Sequence, residues 1–427
     1  MTQSIPHFDL IILGGGLAGA SLAAALRGSG RRIAVIEAHA PARQDELAAD
    51  RKWDTRVYAV SPASVRFLQQ IGLTGALDRS RVAPVYDMRI AGDAGGTLHF
   101  SAYECGVEAL SHIAESSQLS QALWQSLRDQ AEVQIFSPAK PAAIHFGRPD
   151  APTDQARLTL DDGRQLSASL IVGADGRDSW ARAAARLSAE IQSYEELGVV
   201  ANFACEQAHR GTAWQWFRQD GVLAWLPLPG RTISIVWSAP LARAKTLLAL
   251  SPEALAQEVA NAGGHRLGKL TPLSSAQGFP LSLMTVPVVV APRLALIGDA
   301  AHGIHPLSGH GINLGFSDAA ELARRIRNAS EEQEIGNLKF LHGYAKARRS
   351  ETFWLQQGTH ALHQLFRDQA FSASGLGAFS GIPGLAKLPR LPALPVPPGL
   401  SLLRNVGLSM TDRISPVKSW LARIAMG

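Results

Sequence analysis

Two cysteines, Cys105 and Cys205, are too few for a disulfide framework in a chain of 427 residues, which fits a reducing compartment. Charge is scarce too: 18% of residues are Asp, Glu, Lys or Arg, against 46% hydrophobic residues and 39 glycines. A chain so apolar is not a disordered or highly charged one, and at roughly 100–200 residues per domain its length implies two or three packed domains. There is no G-x-S-x-G, C-x-x-C, H-E-x-x-H or G-x-x-x-x-G-K-[ST]. Hydrolase, thiol-redox, zincin and Walker-type NTPase readings therefore lose their simplest support.

Leu10 to Leu26 contains no charged residue. It is read neither as a signal peptide, since Met1 to Asp9 holds no Lys or Arg, nor as a membrane span. It is interrupted by Gly14, Gly15, Gly16 and Gly19 and is shorter than the roughly 20 residues a spanning helix needs. A cytoplasmic protein is expected, with the inner-membrane surface as a peripheral location.

The formal net charge of +5 and the pI near 9.4 suggest a basic protein, but the excess is local. Residues 381–427 hold Lys387, Arg390, Arg404, Arg413, Lys418 and Arg423 against Asp412, a net +5, so the preceding residues are formally neutral. Leu403, Val406, Met410, Ile414, Val417, Leu421 and Ile424 recur there at intervals of three and four, and Pro416 divides the stripe. Such a tail fits an anionic membrane, a partner subunit or the protein's own body. Nucleic acid is not an expected partner.

Phe8 to Leu13 reads as a buried strand, Leu17 to Gly28 as a helix, and Ile33 to Ile36 as a second buried strand. This is the strand–turn–helix–strand unit of a parallel crossover. Alternating, half-buried strands appear at Met88 to Ala91 and Thr97 to Phe100, and again at Val199 to Ala204, Thr212 to Phe217, Gly221 to Leu226 and Thr232 to Val236. Helical spacing marks Gln118 to Leu127, Ile312 to Arg327 and Ile335 to Arg367; Leu170 to Gly173 and Leu294 to Ile297 are further parallel-type strands. The expected fold class is α/β. A Rossmann-type nucleotide-binding domain (1–83, 105–185, 285–335) interleaves with a mixed β-sheet substrate domain (84–104, 186–284). A C-terminal helical region (336–427) follows, with a Pro-rich loop at 381–399.

Gly14-Gly15-Gly16-Leu17-Ala18-Gly19 matches G-x-G-x-x-G directly after a strand and at the opening of a helix. Gly14 permits the tight turn, Gly16 lets backbone approach a pyrophosphate, and Gly19 lets helix and sheet pack closely. The helix start at Leu17 and Ala18 presents free N–H groups to phosphates. Glu37 ends the next strand, where an acid accepts hydrogen bonds from a ribose diol. Two later segments follow buried strands: Gly173-Ala174-Asp175-Gly176-Arg177-Asp178-Ser179-Trp180-Ala181-Arg182 and Leu296-Ile297-Gly298-Asp299-Ala300-Ala301-His302.

Together these three segments resemble the class A flavoprotein aromatic hydroxylases, the group that includes para-hydroxybenzoate hydroxylase. Asp54 to Pro62, Ala213 to Pro227 and Leu403 to Leu408 resemble, within that group, the ubiquinone-biosynthesis hydroxylases. The resemblance implies FAD as cofactor, with Glu37 on the adenosine ribose, Arg56 along the FAD, Asp175 in a motif associated with FAD and NAD(P)H, and Asp299 on the ribityl chain. Asp175 and Ser179 also read as caps of the following helix, and Arg182 as a surface pair.

The flavin's reacting end is expected at His305 to Gly315, where Gly309, Gly311, Ile312 and Asn313 turn backbone N–H groups and a helix start toward a ligand. By resemblance the backbone at Pro306 lies beside C4a. The family usually has Gln where His310 stands and often Arg where Ser317 stands. His310 titrates near neutrality, so a pH-dependent reaction and a tolerated substitution both remain readings.

Trp214 and Trp216 face the same way on a strand, lining a substrate pocket or packing a core. His302, His305 and His310, and His360 with His363, bring no Cys or carboxylate at a recognised ligand spacing, so no metal is expected.

The implied activity is hydroxylation of the ring of a polyprenylated phenol in ubiquinone biosynthesis, with NAD(P)H and O₂, through a C4a-hydroperoxyflavin. Two other readings stay open: a hydroxylase of a small soluble phenol, and a non-catalytic FAD-containing assembly subunit.

Overall fold

The computed structural model describes residues 5–41, 53–147, 154–305, 309, 311–330 and 332–366. Buried apolar runs build the first sheet. His7–Leu13 pairs in parallel with Gln165–Gly173 on one side and Ile33–Ile36 on the other. Val133–Phe136 extends the sheet beyond Ile33–Ile36, and Leu294–Leu296 lies beyond Gln165–Gly173, both parallel. Leu10 to Leu13, Ile33–Ile36, Leu170 to Gly173 and Leu294–Leu296 are apolar and buried throughout because both faces of the sheet are covered there. Leu17–Ala25, Ser116–Arg128 and Gly311–Arg327 contribute buried residues to the core on one face, while Phe8, Ile11, Leu13 and Ile171 belong to a second core.

The second sheet runs in the order His302–Gly303, Gln277–Thr285, Glu190–Cys205, Thr232–Pro240, Gly221–Leu228, Thr212–Arg218, Asp87–Ala91, Thr97–Ser101. Its alternation is clean: Leu223, Trp225, Ile235 and Trp237 pack with the helices Leu241–Ala249 and Pro252–Ala262 in one core, and the intervening residues look the other way. A small sheet of Val57–Val60, Ser111–Glu115 and Ala83–Val85 lies alongside. Two helices with Pro at the first turn, Pro62–Gln70 and Pro252–Ala262, start on Ser61 and Ser251, whose hydroxyls accept from Ser64 and Ala254 N–H. The long helix Leu338–Phe366 crosses behind both sheets: Tyr344 donates to the Leu296 carbonyl (3.0 Å), and Gln356 to the carbonyls of Met284 and Gly303. No described helix is long and apolar enough to cross a membrane.

Candidate active site

Parallel pairing brings the carboxyl ends of His7–Leu13, Ile33–Ile36, Gln165–Gly173 and Leu294–Leu296 to one edge, where open α/β sheets bind ligands. Three segments far apart in sequence meet there. Gly14 has φ +100°, and a Cβ on it would lie 2.3 Å from the Ala174 carbonyl oxygen; a Cβ on Gly19 would lie 2.1 Å from the Gly14 carbonyl oxygen. Neither position accepts a side chain. The turn is braced by Gly15 N–H donating to Glu37 Oε2 (2.6 Å) and by Trp124 Nε1–H donating to the Gly15 carbonyl (2.8 Å). Glu37 also accepts from His39 N–H (2.9 Å), so it stands behind the turn with lone pairs to spare for a diol.

The second segment is a strap. Asp175 Oδ2 accepts from Ala181 N–H (2.9 Å) and Ser179 Oγ from Arg182 N–H (3.0 Å), which is the capping role foreseen for both. Arg182 is not a surface pair. It is 8% exposed, and its guanidinium donates to the carbonyls of Ala300 (2.9 Å) and Arg177 (2.7 Å), tying the second segment to the third. Gly176 and Arg177 then form part of a cavity wall.

Asp299 points outward in the third segment, and Gly298 before it has φ +59°. Sequence reasoning missed what holds it. Asp318, 1% exposed on the helix Gly311–Arg327, accepts from Gly298 N–H (2.9 Å), His302 Nε2 (2.6 Å) and Arg348 Nε (2.7 Å). Burial would raise the Asp318 carboxyl, but His302 and Arg348 outweigh it and hold it below its ordinary value. Burial likewise lowers His302, and the Asp318 charge and hydrogen bond overcome this to raise it. No spacing signalled the contact: Asp318 sits on this helix, His302 on the strand His302–Gly303 and Arg348 on another helix.

A cavity of about 570 Å³ opens between this edge and the second sheet. Gly16, Leu17, Ala18, Arg56, Asp299, Gly309, Gly311, Ile312 and Asn313 border it, as do Ser61 and Gly298. Met88, Phe100, Ala213, Gln215, Val222, Ala224, Leu226, Val236 and Ser238 form the far side. Gly16 has nothing within 4 Å of where its Cβ would be, so its backbone is bare to the cavity. Asn313 fixes the wall by accepting from Ser61 N–H and donating to the Ala59 carbonyl (both 2.9 Å). The Arg56 guanidinium lies 5.6 Å from the Tyr58 ring centre.

A glycine turn at a helix start, an arginine and an outward acid at the nucleotide edge, and an apolar chamber beyond fit a dinucleotide whose far end reaches an organic ring. The family described as FAD binding domain matches residues 7–352. The chain is 31% identical to 3-demethoxyubiquinol 3-hydroxylase of Escherichia coli over 98% of both chains. It is 32% identical to ubiquinone hydroxylase UbiL of Rhodospirillum rubrum, over 98% of this chain and 89% of that one. The chain belongs to the class A FAD-dependent hydroxylases of ubiquinone biosynthesis. Solved structures share its fold: p-nitrophenol 4-monooxygenase PnpA of Pseudomonas putida (TM-score 0.71, 16% identity, 99% of each chain), and PqsL of Pseudomonas aeruginosa (0.70, 23%, 88% of this chain, 100% of that one).

In this hydroxylase the tryptophans are not in the pocket. Trp214 and Trp216 pack against Trp225, at ring distances of 6.1 and 4.9 Å, on the helix-covered face, while Ala213 and Gln215 between and beside them reach the cavity. Of the two readings left open, pocket lining and core packing, the tryptophans take the core one, because the helices Leu241–Ala249 and Pro252–Ala262 decide which side is core.

The histidines also regroup. Glu196, from the long strand Glu190–Cys205, supplies the carboxylate that sequence spacing did not reveal. His363 Nε2 lies 3.0 Å from both its oxygens and His305 Nε2 3.5 Å from one, and the three potential ligand atoms lie within 4.8 Å of one another. The His363 contacts are hydrogen-bond distances. Burial would raise the Glu196 carboxyl, yet hydrogen bonds from His305 and His363 bring it down to about 2. Tyr194 joins the cluster through His360 Nδ1 (3.1 Å). The cluster ties Leu338–Phe366 to His305 and to the strand Glu190–Cys205.

Ser317 lies outside the cavity wall, in a separate surface hollow. Pro306, His310 and the basic tail with its Pro-rich loop lie outside the described residues, so the expectations for them rest on sequence alone.

Proposed function

We propose that this hydroxylase acts on the aromatic ring of a polyprenylated phenol, and that Gly14, Gly16, Leu17, Ala18, Gly19, Glu37, Arg56, Asp175, Asp299, Gly309, Gly311, Ile312 and Asn313 hold FAD, with Pro306 and His310 at its reacting end. One observation carries the reading: a single cavity joins the glycine-turn edge to an apolar floor on the second sheet. FAD, when bound, would supply the acceptor for hydride from NAD(P)H and the O₂ chemistry directed at an electron-rich ring. The chain binds and orients. Gly16 and the start of Leu17–Ala25 would hold the phosphates, Asp299 would meet a hydroxylated chain, and the start of Gly311–Arg327 would offer its positive end to the flavin ring. Val85, Ile113, Leu226 and Val236 keep water from the ring.

The names of the relatives support ubiquinone precursors as the substrate class, and the basic amphipathic segment 400–427 supports docking on an anionic membrane that holds such a lipid. The test is turnover of a 2-polyprenylphenol by the holoenzyme with NADH or NADPH under ¹⁸O₂. Product heavier by one ¹⁸O atom is expected. Flavin that NAD(P)H and phenol together cannot turn over would favour an assembly role, and turnover of small soluble phenols alone would overturn the lipid reading.

A further inference from the structure

The cavity floor on the second sheet is apolar apart from Gln215 and Ser238. Gln215 is 6% exposed and borders the cavity, and its side chain makes no hydrogen bond to any described residue. In register it stands between Ala224 and Ile90, and Ala224 in turn faces Val236. Ala213, two residues earlier, lies on the same face. A carboxamide so enclosed is costly without a partner. Its neighbours Ala213 and Ala224 are small, which leaves room for a flat ring above them, walled by Met88, Phe100 and Leu226. Ser238 is two strands away, roughly 10 Å at the usual strand spacing, too far to share one oxygen with Gln215.

We propose that Gln215 is a positioning residue that holds the ring hydroxyl of the phenol and thereby sets which ring edge faces the flavin turn. This rests on the phenol reading above. The amide suits the task in both protonation states: Oε1 accepts from a phenol O–H, and Nε2–H donates to a phenolate oxygen. An apolar side chain at this place would grip the ring without fixing its rotation.

The test measures binding to the holoenzyme through flavin absorbance, using 2-geranylphenol and its O-methyl ether in detergent, and phenol and anisole as chain-free counterparts. The native protein is expected to prefer phenol over ether about five- to tenfold, the worth of one neutral hydrogen bond. Gln215→Met should weaken only the phenol, bringing the ratio below twofold, raise KM more than it lowers kcat, and release more peroxide per NAD(P)H. Gln215→Glu keeps an acceptor and should retain the preference. A Met variant with the native ratio, or a Glu variant without one at a pH where flavin and ligand absorbance show the bound phenol neutral, overturns the assignment; the Glu variant decides should the Met variant fail to keep flavin. Binding of the geranyl pair with a ratio indifferent to Gln215 sinks the anchor alone. A Gln215-dependent ratio for phenol and anisole, without binding of the geranyl pair, keeps the anchor and sinks the lipid substrate.

Discussion

Replacing Asp318 with Asn removes a charge that three donors share in a site closed to water. An Asn oxygen at the place of Oδ2 can still accept from Gly298 N–H and His302, but its NH₂ is then turned toward Arg348, itself a donor. Losing one partner of a buried ion pair costs about 3–5 kcal/mol. Arg348 keeps Glu351, and His302 can shed its proton, so the lower end, about 3 kcal/mol, is expected. At roughly 2 °C per kcal/mol for a large domain, flavin release on heating should come about 6 °C earlier. The loosened Gly298 amide also frees the turn that presents Asp299, so FAD affinity should fall at least tenfold while the apoprotein stays folded. Thermal release of flavin fluorescence and FAD titration of the apoprotein measure both. A variant melting within about 2 °C of the native protein, with unchanged FAD affinity, would refute the view that Asp318 organises the nucleotide edge.

Gly14→Ala forces a side chain into the Ala174 carbonyl at positive φ and should yield protein without flavin, seen as loss of absorbance near 450 nm. Asp299→Ala, at an exposed site, should leave apoprotein stability within about 0.5 kcal/mol but weaken FAD roughly 10–100-fold, by isothermal titration. Trp214→Phe should cost about 1 kcal/mol of stability and leave phenol affinity within about twofold, because the ring lies on the core face. His302 is raised above the ordinary imidazole value of about 6.5, so its contribution is complete below that pH and disappears as pH climbs through the raised value. Melting temperature followed from pH 6 to 9 should thus fall more steeply for the native protein than for His302→Gln.

Local pattern carried much of this protein. The glycine turn announced itself because only glycine fits beneath the Ala174 carbonyl, and four strands of the first sheet because burial on both faces leaves an unbroken apolar run at Leu10 to Leu13, Ile33 to Ile36, Leu170 to Gly173 and Leu294 to Leu296. Helix Gly311–Arg327 and strand Ile33–Ile36 came out nearly to the residue. Other elements were opaque: Gln277–Thr285 and the helices Leu241–Ala249 and Pro252–Ala262 went unread, and so did the face they impose on Trp214 and Trp216.

What the sequence determined by itself was the glycine turn at the sheet edge and the family, since these depend on residues adjacent in the chain whose backbone needs are written in their types. What only the tertiary structure decided was which side chains meet across long separations: Asp318 with Arg348, Glu196 with His305 and His363, and Gln215 with an apolar cavity. A sheet's inside and outside, and a buried charge's partner, are properties of packing between elements, and no spacing along one strand or helix encodes them.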